Sequence, residues 1–310
     1  MAEVTLKFAG VNNVLSPDVL GAFEDARVPL LRYQTRVQNI DIGNAQEASV
    51  RQGYVLAVAG APHSGWAYEG SSTALFVEDS VLKQFDGTST ADLLTLSTND
   101  TAVFAQVNSV VVFTNGTDIG FIDSTGAHLF QEAPDQFKYK MPAGQALAFH
   151  NGCLWVAAGS VVYKSDAFNI EQYDERTAHV PFPAEVSMLQ SVKDETGGGL
   201  WVSFKGCTAF MAKGDESFRD IAPYTAIAGT AVPGKAEWLG DVGLTGNIVM
   251  WRSDRGVCAG DAGGRFVNLS EGRVAMKPGT AGASMLRQAG GAVHFVSAVR
   301  SPSTEYNIYS

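Results

Sequence analysis

From about Val50 onward, apolar and polar residues alternate with a period of two, the signature of half-buried β-strands. Six of the apolar runs are centred on an aromatic residue: 73–77, 110–114, 153–156, 199–202, 248–251 and 292–296. With Phe76, Phe113, Trp155, Trp201, Trp251 and Phe295 as markers, the steps are 37, 42, 46, 50 and 44 residues. Four-stranded propeller blades repeat at roughly 40–50 residues. The spacing predicts an all-β chain: a six-bladed β-propeller, or a five-bladed one with an additional hairpin. In that fold the marker aromatics belong to the core between blades.

Each unit reads as an inner strand, a second strand, a third and an outer one. In the first unit these are 65–69, 74–78, 81–85 and 93–96, with Asp79-Ser80 and Asp86-Gly87 as turns. The second uses 102–107, 110–114 and 119–122, with Asn115-Gly116 as a turn. The third uses 146–150, 154–157 and 161–163, and the fourth 186–192, 200–204 and 208–211. In the fifth, 236–239 reads as inner, followed by 248–251 and 257–259. The sixth has 284–288, 293–296 and 306–309, one strand short of a full blade.

An orphan strand at 53–59 precedes the first inner strand. It stands where 93–96 stands before the second unit. Gly53, Tyr54, Val55, Leu56, Ala57 and Val58 are therefore expected to supply the outer strand of the last blade, closing the ring and hiding both sheet edges. The chain divides into an N-terminal arm, 1–48, and a propeller, 49–310. Within the arm, 4–8 reads as a strand. Residues 17–31 read as one short helix capped by Ser16 and stopped near Arg27, because Pro29 disfavours the helical conformation before it.

Composition narrows the class. Apolar residues make up 45% and charged residues 17%, as in globular domains. The net charge of −10, without any basic run, argues against a surface that grips nucleic acid. Cys153, Cys207 and Cys258 are an odd, widely spaced set, which suggests buried free thiols and a reducing compartment. No secretion signal and no membrane-length apolar run is read, so a cytoplasmic origin with no membrane partner is expected.

Candidate chemistry is sparse. His63, His128, His150, His179 and His294 never fall at metal-ligand spacing with another histidine or a cysteine, so each reads as structural or superficial. No GxSxG elbow and no phosphate loop occurs; Gly197-Gly198-Gly199 reads as a hairpin turn. The run 253–256 lacks the Thr-Trp of a sialidase-type Asp-box. Acidic pairs such as Asp174-Glu175 and Asp215-Glu216 read as loop charge. No catalytic residue, cofactor or metal is expected. Tyr54, Tyr68, Tyr139, Tyr173 and Tyr224 do not recur in phase with the blades, as a repeated sugar-binding platform would require.

The first part of the chain carries a more specific pattern. It has Gly10-Val11-Asn12-Asn13-Val14, then Asn39-Ile40-Asp41-Ile42, Arg51-Gln52-Gly53-Tyr54 and His63-Ser64-Gly65-Trp66. Over about 8–68 this resembles a group of tailed-phage virion proteins of the β-propeller type, related to tail nozzles and head-to-tail components. One departure is that Arg51 stands alone where that family places two or three arginines. The resemblance implies a non-enzymatic ring component around the DNA exit path of a virion tail, assembled in the host cytoplasm. Its partners would be copies of itself and other tail, portal or adaptor proteins, with DNA passing but not bound specifically. Gly10 to Val14 would anchor the arm by a turn. The alternatives are a carbohydrate- or receptor-binding propeller at a tail tip, and a propeller glycoside hydrolase.

Overall fold

The computed structural model describes residues 7–11, 31–34, 40–42, 48–50, 57–67, 73–132, 136–194, 198–213, 217–271, 274, 276, 279–289 and 292–300. Among them the chain is all-β, with one 3-10 turn of helix. Five antiparallel four-stranded sheets follow one another in sequence. The first is His63–Ala67, Ala74–Glu78, Val81–Phe85 and Thr90–Thr95. The second is Val103–Val107, Val110–Thr114, Ile119–Asp123 and Gly126–Leu129. The third is Ala146–His150, Cys153–Ala158, Val161–Lys164 and His179–Pro181. The fourth is Val186–Lys193, Gly198–Phe204, Cys207–Ala212 and Arg219–Ala222. The fifth is Val232–Lys235, Asn247–Ser253, Gly256–Asp261 and Phe266–Asn268. A long hairpin, Ala281–Ala289 with Ala292–Arg300, comes last.

Strand alternation explains how these sheets stack. Along a strand, successive side chains point to opposite faces, so each apolar second strand serves two neighbours. Val111 and Phe113 pack with Leu75 and Val77 of the first sheet, whereas Val112 packs with Leu147 and Leu154 of the third. Trp155 and Ala157 join Leu200 and Val202 between the third and fourth sheets. Trp201 and Phe210 meet Val249 and Trp251 between the fourth and fifth. Ile248 and Met250 face Leu286 and Phe295 of the final hairpin. First strands lie side by side through the first four sheets, and Val232–Lys235 lies against Ala281–Ala289.

The fourth sheet shows what this double burial demands. All seven residues of Gly198–Phe204 are buried. The Trp201 ring lies 5.5 Å from that of Trp251 and 4.8 Å from Phe210, and its Nε1–H donates to the Asp261 carbonyl at 3.2 Å. Side-chain bulk at position 260 is excluded, because a Cβ on Gly260 would overlap the Trp201 ring. Buried hydroxyls tie consecutive sheets together. Thr114 Oγ1 accepts from the Gly144 N–H at 3.0 Å, and Ser203 Oγ accepts from the Ala226 N–H at 2.8 Å.

Two expectations are overturned. Gly198 and Gly199, read as part of a hairpin turn, open the strand Gly198–Phe204. Residues 236–239 do not form the inner strand of the fifth sheet; Ala236–Leu239 is a 3-10 helix, and Val232–Lys235 is the strand. Other expectations fall partly outside the described residues. Gly10 and Val11 lie in the strand Lys7–Val11, which pairs in parallel with Leu31–Gln34, while Asn12, Asn13 and Val14 are outside. Ile40–Ile42 pairs with Ala48–Val50. The helix expected at 17–31 is outside except for Leu31, which is in a strand. Gly53, Tyr54, Val55 and Leu56 are outside, as is 306–309; Ala57 and Val58 are described and belong to no strand.

Candidate functional site

The end of each sheet at which first and third strands finish forms a common rim. In three sheets the third strand ends on or beside an aspartate: Asp86, Asp123 and Asp261. These carboxylates close their turns by accepting backbone N–H groups. Asp86 takes those of Thr88 and Ser89, both at 2.8 Å, and Asp261 takes those of Gly263 and Arg265, both at 2.9 Å. The donors of Ser89 and Thr88 hold the Asp86 carboxyl well below the usual carboxylate range.

In the third and fourth sheets the same position is basic, occupied by Lys164 and Lys213. Lys193 ends the first strand of the fourth sheet. Alternation starts all three from the junction of the third and fourth sheets, at its rim. Lys164 follows Val162, which faces the fourth sheet; Lys193 follows Leu189 and Ser191, and Lys213 follows Ala209 and Met211, all facing the third. Aromatic rings underlie two of the ammonium groups: Lys164 Nζ is 5.6 Å from the Trp155 ring and Lys193 Nζ 5.3 Å from Phe149.

Beneath them lies His150, at the end of Ala146–His150 and 1% exposed. Its Nδ1 is 3.0 Å from Ser191 Oγ across the sheet boundary, and its Nε2 has no hydrogen-bond partner. Burial, reinforced by Lys193, Lys213 and Lys164, pushes its pKa down to about 4, so the ring is neutral at pH 7. Cys153 pairs with His150 in the ladder, and burial raises its thiol pKa. Burial likewise raises Cys207 to about 11 and Cys258 to about 12. These are unreactive thiols at neutral pH.

The third sheet carries a second departure from the common plan. Between its third and outer strands, the chain inserts Gln172–Asp174, which pairs with Lys138–Lys140 as a separate ribbon. Tyr139 and Tyr173, far apart in sequence, become cross-strand neighbours with ring centroids 6.0 Å apart; Tyr163 extends the cluster to 5.2 Å from Tyr173. Phe137, just before Lys138–Lys140, and Phe168, upstream of Gln172–Asp174, have φ of +69° and +62°, a region costly for a bulky side chain. Phe168 is 89% exposed and lies over the Gly152 turn. Arg176 stacks on Phe137 and pairs with Asp174 at 2.7 Å, which holds the Asp174 carboxyl far down.

The marker aromatics Phe76, Phe113, Trp155, Trp201 and Trp251 are all buried. His63 and His128 bond within their own surroundings, to Ser64 and Thr125. A shallow cleft of about 160 Å³ beside Phe130 and Met141 contains Asp118, whose carboxylate is already engaged by the Ser97 N–H and hydroxyl. Among the described residues no group of three His, Cys, Asp or Glu side chains converges as a metal site, and no helix is long and apolar enough to cross a membrane. The lysine rim and the exposed phenylalanines were not anticipated. The available signal was the exchange of Asp for Lys at the ends of two consecutive third strands.

No protein-family model and no curated protein matches this chain. Among solved structures, the extracellular domain assigned to a one component system of B. thetaiotaomicron aligns over 84% of this chain with 11% identity and a TM-score of 0.49. This chain spans 33% of that one. BBS1N, in a crystal structure in complex with ARL6DN, aligns over 74% of this chain and 76% of its own, with 13% identity and a TM-score of 0.44. Neither is described as a viral protein, and likeness at this level carries no argument about function.

Proposed function

We propose that the chain is a non-enzymatic structural protein of a tailed-phage virion, a tail or head-to-tail ring component of the nozzle type. The observation that carries this reading is the placement of the motif-bearing segment. Lys7–Val11, with Gly10 and Val11, pairs with Leu31–Gln34, and Ile40–Ile42 pairs with Ala48–Val50. None of these strands belongs to a four-stranded sheet. An arm with its own strand pairs, separate from the four-stranded sheets, suits assembly into a ring with copies of itself and with other tail, portal or adaptor proteins. Localisation follows: assembly in the host cytoplasm, then the virion, with no membrane partner. The acidic surface lets DNA pass without being held. Mass spectrometry of purified particles from a phage encoding this protein tests the reading. Presence at ring-like copy number supports it, and absence ends it.

Closure belongs to the same proposal. The five sheets and the final hairpin form a six-bladed propeller, completed by 53–59 along the last blade. Removing 49–59 then lowers the thermal midpoint of the whole domain. An unchanged midpoint removes the closure scheme and leaves a five-sheet array with a hairpin.

A second reading, a receptor- or carbohydrate-binding propeller at the tail tip, is favoured by the inserted ribbon. Tyr139, Tyr173 and the exposed Phe137 offer flat apolar faces beside Arg176 and Asp174. Glycan-array binding that is lost in Tyr139→Ala favours this reading over the first.

A further inference from the structure

We propose that the rim between the third and fourth sheets binds an oxyanion of the phosphate type, held by Lys164, Lys193 and Lys213 above the imidazole of His150. The site is independent of the virion reading.

Charge is the first argument. The protein carries a net charge of −10, yet three lysines lie close enough to act on His150 here, and none forms an ion pair with a described carboxylate. The nearby described acids are turned elsewhere. Asp166 Oδ2 takes Lys138 Nζ in an ion pair of its own. Asp194, one residue past Lys193, faces the fifth sheet beside Gly246. Mutual repulsion among the lysines is a cost that a bound anion removes. Residues 195–197 and 214–216 are outside the described set.

The second argument is the buried ring. Ser191 can donate its hydroxyl proton to His150 Nδ1, which leaves the proton on Nε2. That N–H is then a buried donor without an acceptor. A buried unsatisfied donor is costly, and it points to a missing acceptor. Alternation aims the ring toward the fourth sheet, on the side where Lys164, Lys193 and Lys213 project. The titratable groups facing it are Cys153 and Lys164 from its own sheet, and Lys193 and Lys213 from the fourth. Third, the Trp155 and Phe149 rings constrain two of the lysines, so less side-chain freedom is lost on binding.

The test is a titration of the full chain with inorganic phosphate at constant ionic strength, followed through the ring resonances of His150. An anion at the lysines weakens their hold on the imidazole, so saturable binding should raise the His150 pKa by about half a unit or more. Lys164→Gln, Lys193→Gln and Lys213→Gln should each weaken binding roughly two- to fivefold, and the triple variant by more than about tenfold. All three residues are exposed, so folding is retained; Lys235→Gln, on the fifth sheet, should change nothing. A single-stranded oligothymidylate distinguishes the sources. Tighter binding than phosphate, through the same His150 shift, assigns the site to a polynucleotide backbone; binding no tighter assigns it to free phosphate or a small phosphorylated molecule. A His150 signal that responds to phosphate no more than to chloride overturns the proposal, as does a triple variant that binds like wild type.

Discussion

The junction of the fourth and fifth sheets and the junction beyond the fifth sheet use the same materials with different results. In the former, Trp201 and Trp251 are both fully buried, because each second strand has a packed sheet on either side. In the latter, Leu286 and Phe295 pack on Ile248 and Met250, but no residue of Ala292–Arg300 is fully buried, and Met285 on the opposite face is 57% exposed. Two strands with one described neighbour bury far less than four strands with two. Stability in this architecture is therefore a property of junctions rather than of sheets, as in other serial assemblies. Perturbing each junction in turn makes the comparison quantitative.

The largest effect is expected at the closed junction. Trp201→Ala removes a ring that touches Trp251 and Phe210 and abolishes its hydrogen bond to Asp261. Loss of about 3–5 kcal/mol is expected in denaturant unfolding. A loss below about 1 kcal/mol would mean that the tryptophan pair is not the core of that junction.

Next is the pH dependence of the third–fourth junction. The folded pKa of His150 is depressed to about 4 from an ordinary value of 6.5. Between these values the unfolded chain binds a proton that the folded chain refuses, so stability is full above about pH 6.5 and falls as pH drops toward 4. The loss is on the order of 3 kcal/mol at most. The low-lying carboxyls of Asp86 and Asp174 lose their contributions only at more acidic pH, outside this window. Unfolding measured between pH 7 and 4 should show this slope, and His150→Gln should flatten it. An equal slope in both proteins would assign the dependence to other groups. Smaller again is Ser203→Ala, which strands the Ala226 N–H and removes the hydroxyl proton held by the Cys207 carbonyl; about 1–3 kcal/mol is expected.

These junctions differ in how far the sequence reveals them. Second strands were legible because both faces are buried, which makes them short apolar runs around an aromatic: Ala74–Glu78 and Val110–Thr114 appear with the boundaries read from sequence. Outer strands such as His179–Pro181 and Phe266–Asn268 are three residues long and bury little, so no hydrophobic period marks them. Val232–Lys235 was hidden by Pro233 and Gly234, residues that ordinarily argue against a strand. The apolar Ala236–Leu239 drew the assignment instead. The candidate sites were the least legible. Tyr139 meets Tyr173 only through a ribbon closed across more than thirty residues, and the lysine rim depends on how two sheets face each other. Neither relation is local, so no periodicity encodes it.

The smallest effect tests the open junction most directly. Met285 lies on the hairpin face that turns away from the fifth sheet, on the side opposite Leu286. Its exposure leaves little apolar area to lose, so in an open array Met285→Ala changes unfolding stability by less than about 0.5 kcal/mol. Leu286→Ala, on the packed face, is the internal reference and should cost more. If Met285→Ala instead costs as much as Leu286→Ala, something covers the outer face, and the first sheet is the element that a closed ring would bring there. The hairpin would then have a neighbour on each face, and the contrast with the fourth–fifth junction would shrink to a difference in strand number. A negligible effect counts against the closed ring proposed above, because a closed ring would cover this face of the hairpin.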